Sequence, residues 1–329
     1  HTFGSSKWLS FGGWINAIIP LLIVPYYSVI GGWVIKYLLG YIQGNSQLLA
    51  KDGYFTDFIS NGLSTELCFL AFALLTIIII YAGVRNGIER VSKFMMPILV
   101  VLSVVITIYS VTRPGALAGV KYFLVPNVRN FSWMTVVAAM GQMFYSLSIA
   151  MGILITFGSY MKNDVAIENA TENVEIFDTA IAIMAGLMII PAVFAFSGGD
   201  PEALQAGPSL MFITIPKMFA SMGFSTGIGI LFFLLVLFAA VTSSIALTES
   251  AVSTFEDELG WTRKKATIVV GIIIILLGSL SSLGYGPLAG IKLIGMQFLD
   301  FFDFLTNSVM MPIAAIATCL LVSRVAGIK

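Results

Sequence analysis

The stretch GQMFYSLSIAMGILITFGSY, residues 141–160, is apolar enough to cross a membrane but poorly suited to an uninterrupted helix. Three glycines weaken it, and Gln142, Ser146 and Ser148 place polar side chains near its middle. Non-helical backbone is tolerated at membrane depth only where it is buried in protein or lines a cavity. The stretch therefore predicts a broken helix that aims free carbonyls at a binding site. An ordinary helix whose Ser and Gly pack closely against neighbours is the alternative.

The composition indicates an all-α polytopic membrane protein. Of the 329 residues, 58% are hydrophobic and 10% are charged, and the mean hydropathy is +0.97. Runs of about 20 apolar residues can each span about 30 Å of hydrocarbon. They predict eight transmembrane helices, at approximately 8–42, 65–84, 94–112, 133–160, 172–197, 225–254, 264–284 and 299–323. No linker interrupts the chain, so we predict one transmembrane domain over 1–329. The excess of Lys and Arg on one side marks that side as cytoplasmic.

The sequence lacks the residues that several classes of function require. The only histidine is at position 1, and the sequence has no metalloprotease, nucleophile-elbow or phosphate-loop motif, so we predict no enzyme activity and no cofactor. Basic and acidic residues balance at 17 each, which gives no reason to expect nucleic-acid binding. A passive channel or a non-transporting membrane protein stays open as the alternative to a transporter.

A second group of polar residues lies in FAAVTSSIALTES, residues 238–250. Ala239, Thr242 and Ser243 are spaced i, i+3 and i+4, so they share one face of a helix. One carbonyl and two hydroxyls can then converge on a point, as a hard alkali cation requires. Alternatively, the hydroxyls bond back to carbonyls of their own helix, as is common in membrane helices.

Five segments, in this order and spacing, resemble the neurotransmitter:sodium symporter family in its bacterial branch: IVPYYSVIGGW, GQMFYSLSIAMG, AGPSLMFITIP, FAAVTSSIAL and STFEDELGWTRKKA. The resemblance implies the inverted-repeat, leucine-transporter-like fold, in which 1–132 is the remainder of the first repeat and 133–329 is the second. It also implies that the first two helices of the family are missing, so that this chain alone holds half-sites and is expected to be inactive. The function implied is sodium-coupled symport of an apolar or aromatic amino acid by alternating access.

The resemblance also implies a substrate site. Tyr27 would donate its hydroxyl to the substrate carboxylate, and carbonyls of Tyr145, Ser146 and Ser148 would receive its ammonium group. Tyr145 would close over the substrate as an aromatic lid. The side-chain pocket would be lined by Ile23, Met151, Ser243 and Leu247.

Two sodium sites and an anion site follow from the same resemblance. Ala239, Thr242 and Ser243 would form one sodium site, and Ser146 with Asp178 would contribute to the other. Gln142, Ser146 and Asp178 stand where chloride-dependent relatives bind chloride. Because Ala182 replaces a chloride-binding Ser, we expect the Asp178 carboxylate to take the place of the anion.

The resemblance also implies gate residues, binding partners and a membrane location. Asp303 and Tyr145 would belong to the outer gate, and Tyr160 and Asp257 to the inner one. Asp257 also lies in the acidic run 256–258, where a solvated acid is the simpler interpretation. The expected partners are an amino acid, sodium and the lipid bilayer of a bacterial cytoplasmic membrane, and a homodimer is considered as well.

Overall fold

A computed structural model describes residues 7–127, 131–162, 164–204, 207–221 and 223–326, and within them the regular structure is helical apart from one isolated bridge between Leu293 and Met296. The α-helices are α1 Lys7–Ile42, α2 Ser46–Leu49, α3 Tyr54–Ser60, α4 Gly62–Tyr81, α5 Arg90–Val111, α6 Ala116–Leu124, α7 Trp133–Ser146, α8 Ile153–Ser159, α9 Ile167–Ser197, α10 Ile215–Ala220, α11 Ser225–Leu259, α12 Arg263–Leu283, α13 Phe298–Asp303 and α14 Met311–Leu320. Turns of π-helix extend some of them, at Val84–Glu89, Leu210–Thr214, Phe304–Met310 and Leu321–Ala326.

Seven helical stretches among the described residues are long and apolar enough to cross a membrane. They coincide with seven of the eight predicted spans, which confirms an all-helical multi-pass membrane protein. The eighth predicted span, 133–160, is divided into α7 and α8. The structure therefore contains the predicted interruption at the place where the sequence departs most from a plain membrane helix.

The helix α1 is the centre of the bundle and packs against α4, α11, α12 and α14. Its 36 residues correspond to about 54 Å of helix, which exceeds the hydrocarbon thickness and requires tilt or extension beyond it. Gly32 lets α4 approach closely, because a Cβ there would lie 2.6 Å from the backbone nitrogen of Phe69. Large aromatic side chains fill the core nearby, with Trp33 and Tyr37 both packed edge-on against Phe55.

The segments that connect the predicted spans at one end of the bundle contain short helices, α2, α3 and α10. Gln47 on α2 donates to the carbonyl of Ala220 at the end of α10 over 3.3 Å, and Ser225 donates to Ser46 over 3.2 Å. Lys217 on α10 pairs with Asp52, and this ammonium group holds the pKa of the Asp52 carboxyl below its usual value. Segments far apart in the chain are therefore joined into one cap over this end.

Candidate functional site

The break between α7 and α8 is the first component of the site. Ser132 caps the start of α7: its hydroxyl accepts a hydrogen bond from the amide of Thr135, while the Thr135 hydroxyl accepts one from the amide of Ser132. After Ser146 the backbone leaves the helix, with left-handed φ values of 56° at Ser148, 66° at Ala150 and 71° at Gly152. Two of these residues carry a Cβ, so the conformation costs on the order of 1–3 kcal/mol at each, a cost that is typical of functional sites.

The break leaves backbone carbonyls without the helical hydrogen bonds that they would otherwise accept. The amide of Ser148 donates to the carbonyl of Tyr145 over 3.1 Å, and the amide of Ile149 donates to Phe144 over 2.9 Å. Among the residues that the structure describes, none donates a hydrogen bond to the carbonyl of Ser146 or Ser148. These two carbonyls can therefore accept a ligand, whereas that of Tyr145 already has one donor.

Tyr27 of α1 lies beside the break. Its side chain lies near that of Ser243 on α11, and the side chain of Tyr145 is near both Tyr27 and Asp303. The predicted apolar lining residues Ile23, Met151 and Leu247 are all buried. The structure thus brings predicted substrate-site residues from three segments, α1, α7 with the break that follows it, and α11, to one region.

Ser146 and Asp178 meet across two helices. The hydroxyl of Ser146, at the last position of α7, donates to Oδ1 of Asp178 on α9 over 2.5 Å. Gln142 is exposed one turn earlier on α7, and Ala182 is exposed one turn after Asp178. A carboxylate is therefore fixed directly at the end of the broken helix, with the small Ala182 beside it.

The hydroxyl group of Thr242 bonds to its own helix, which is the arrangement predicted as the alternative to a cation site. It donates to the carbonyls of Phe238 and Ala239 on its own helix, each over 3.0 Å. The same contact places the Ala239 and Thr242 oxygens 3.0 Å apart, beside the exposed Ser243. Since the Thr242 oxygen keeps its lone pairs, this geometry leaves it able to act as a cation ligand.

Glu249, to which the sequence alone assigns no role, is the centre of a buried charge cluster at the other end of the site. Its side chain is 0% exposed. Arg263 binds it through two nitrogens, at 2.6 Å and 3.0 Å, and Tyr160 donates to it over 2.6 Å. Arg263 also reaches Glu256 over 3.3 Å and the carbonyl of Ile80 over 3.1 Å. A carboxylate inside an apolar span predicts a cationic partner. The sequence does not show that this partner is Arg263, which lies 14 residues further along the chain, beyond the end of α11.

The predicted gate residues divide between two ends. Asp303 accepts a hydrogen bond from Asn307 over 2.6 Å and lies near Tyr145. Tyr160 lies at the end of α8 and makes its contact with Glu249, while Asp257 is exposed. The structure therefore joins Tyr160 to Glu249, an acid that the sequence analysis did not include in the inner gate.

A multi-pass bundle with a helix broken beside buried polar groups defines the class of secondary membrane transporters rather than an enzyme. The chain belongs to the sodium:neurotransmitter symporter family, which it matches over residues 56–329.

Similar proteins agree with that assignment. The chain is 34% identical to the uncharacterized sodium-dependent transporter YhdH of Bacillus subtilis, over 94% of this chain and 68% of that protein. It is 31% identical to an uncharacterized sodium-dependent transporter of Haemophilus influenzae, over 98% of this chain and 71% of that protein. The crystal structure of MhsT in complex with L-phenylalanine superimposes with a TM-score of 0.83 at 37% identity, covering 96% of this chain and 72% of MhsT.

Proposed function

We propose that this protein works as a sodium-coupled symporter of apolar or aromatic L-amino acids in a bacterial cytoplasmic membrane. The observation that carries the proposal is the helix break after Ser146, whose open carbonyls lie in the same region as Tyr27 and Ser243. The phenylalanine complex of MhsT supports an aromatic substrate.

The binding of a zwitterion follows from these groups. The carbonyls of Ser146 and Ser148 would accept hydrogen bonds from the substrate ammonium group, and the Tyr27 hydroxyl would donate to its carboxylate. Ile23, Met151 and Leu247 would surround the apolar side chain. The flexible thioether of Met151 suits apolar groups of different shape.

Sodium ions would supply the driving force. Ala239, Thr242 and Ser243 offer three oxygens on one helix, fewer than the six to eight typical of a hard cation such as Ca²⁺. The proposal therefore needs further ligands, and its tests use the whole protein that contains these 329 residues. One sodium moving down about 100 mV gains roughly 2.3 kcal/mol, so two provide about 4.6 kcal/mol, enough for a thousand-fold substrate gradient.

We expect uptake of L-phenylalanine into proteoliposomes to require an inward sodium gradient. Replacing external sodium by potassium or choline removes the coupling ion and should reduce uptake to the level of protein-free liposomes. Equal uptake in all three cations would contradict the proposal. A substrate-gated sodium current without accumulation of the amino acid would indicate a channel instead.

The substitution Tyr27→Phe should weaken substrate binding while leaving the fold intact, because it removes a single hydroxyl. A hydrogen bond to a charged group contributes roughly 1.5–3 kcal/mol, so we expect about a 10- to 150-fold loss of affinity. Equilibrium binding of labelled L-phenylalanine to the purified protein in detergent measures this affinity. Tyr81→Phe, which changes an exposed tyrosine at the end of α4, is the matched control. Wild-type affinity in a well-folded Tyr27→Phe protein would remove Tyr27 from the site.

A further inference from the structure

Ser250 of α11 lies directly against the break between α7 and α8, although none of the roles assigned above includes it. Its side chain is 1% exposed. The hydroxyl donates to the backbone carbonyl of Met151 over 3.3 Å and lies 3.5 Å from the hydroxyl of Thr156 on α8. One buried hydroxyl therefore contacts both the last part of the break and the half-helix that follows it.

The backbone beside Ser250 has little freedom to move. A Cβ at Gly152 would lie 2.9 Å from the Ser250 hydroxyl oxygen and 3.3 Å from the carbonyl oxygen of Asn16 on α1. Gly152 also has a φ of 71°, which disfavours any side chain. The break is thus held between α11 on one side and α1 on the other, at the residue that follows Met151.

Further hydrogen bonds connect α11 with α8 and with Tyr160, the residue that follows α8. The hydroxyls of Thr156 and Ser253 are 3.3 Å apart, and Tyr160 donates to Glu249. These bonds attach α8 to α11, but they lie one to two turns beyond the break. Of this set, only the bond from Ser250 reaches the carbonyl of a residue assigned to the substrate pocket.

We propose that Ser250 is a positioning residue that sets the substrate selectivity of the pocket by holding the Met151 backbone in place. The proposal rests on the proposed function, because Met151 acts on selectivity only if it faces the substrate. Loss of the Ser250 hydroxyl would release the Met151 carbonyl and let the adjacent side chain shift. A pocket wall that shifts discriminates less well between apolar side chains of different size.

The experiment compares sodium-driven uptake of L-phenylalanine and L-valine by the wild type and by Ser250→Ala, in the whole protein. We expect KM for L-phenylalanine to rise roughly 2- to 10-fold, as for a lost neutral hydrogen bond, and the phenylalanine-to-valine preference to fall by a similar factor. Ser103→Ala is the matched control, because that buried hydroxyl on α5 donates to the carbonyl of Leu99 in its own helix, over 2.8 Å. It should leave KM and the preference unchanged.

Two more variants separate positioning from a purely structural role. Thr156→Val removes the contacts of the Thr156 hydroxyl with Ser250 and Ser253 on α11 but keeps the bond from Ser250 to Met151, so the preference should stay at the wild-type value. Ser250→Cys keeps a weak donor of similar size and should give an intermediate preference, which also covers the case that Ser250→Ala fails to fold. A lower maximal rate with wild-type KM and preference in Ser250→Ala or Ser250→Cys would overturn the proposal. So would a loss of preference in Thr156→Val equal to that in Ser250→Ala. A wild-type protein without sodium-dependent uptake would overturn the proposed function itself.

Discussion

Replacing Arg263 by Gln should destabilise the protein by about 3–5 kcal/mol, because it leaves the fully buried carboxylate of Glu249 without its cation. Tyr160 would then be the one remaining partner among the contacts described for that carboxylate. The reverse change, Glu249→Gln, should cost less. Arg263 is 22% exposed, and it keeps Glu256 and the carbonyl of Ile80 as partners. Thermal unfolding of the purified protein in detergent measures both effects.

The double substitution and a surface pair provide the controls for this prediction. In Arg263→Gln with Glu249→Gln neither member of the buried pair is charged, so most of the lost stability should return. Lys93→Gln breaks the exposed pair with Glu89 on the preceding turn, whose side chains are 76% and 50% exposed, and should leave the unfolding temperature unchanged. If Arg263→Gln were as stable as the wild type, or the double variant as unstable as the single one, the buried charge would not be the cause.

The helix break could be predicted from the sequence because its physical cause is local. Glycines and hydroxyl residues in the middle of an apolar run lower the helix propensity at those positions. The structure ends α7 at Ser146 and begins α8 at Ile153, within that run. The left-handed conformation of Ser148 and Ala150 could not be predicted from the sequence, since only the packing around the break selects it.

Contacts between distant segments could not be predicted in the same way. The ion pair between Glu249 and Arg263 depends on how α12 folds back against α11, and the helices α2, α3 and α10 are short pieces stabilised by one another. Short helices are marginal on their own and depend on tertiary packing. The residue pattern of a single segment therefore does not predict these short helices or the contacts that stabilise them.

Thr242 shows where the sequence left two interpretations of one pattern. The spacing of Ala239, Thr242 and Ser243 predicts a shared face in both cases. In the structure the Thr242 hydroxyl bonds to carbonyls of its own helix, including that of Ala239. That bond holds the Ala239 and Thr242 oxygens 3.0 Å apart, an arrangement that is compatible with either interpretation.

Transport by the wild-type protein should be independent of chloride, because Asp178 supplies a fixed negative charge at the site. Two sodium ions and a zwitterionic substrate bring a net charge of about +2 into a low-dielectric region, where an uncompensated charge costs several kcal/mol. The carboxylate of Asp178 lies 2.5 Å from the Ser146 hydroxyl, next to the open carbonyls. The measurement is sodium-driven uptake into proteoliposomes with gluconate or chloride as the anion.

The variant Asp178→Asn with Ala182→Ser should convert the protein to chloride dependence. The neutral amide introduced at position 178 would no longer offset the cations, so uptake in gluconate should fall about 100-fold or more, as several kcal/mol implies. The hydroxyl introduced at position 182, one turn along α9, would help to hold a chloride ion and restore part of the activity. Glu172→Gln is the control, because it removes an exposed acid of the same helix that lies six residues, nearly two turns, from Asp178, and its uptake should be the same in either anion. Chloride dependence in the wild type, or a double variant equally active in both anions, would mean that Asp178 serves only to bind Ser146 and end α7.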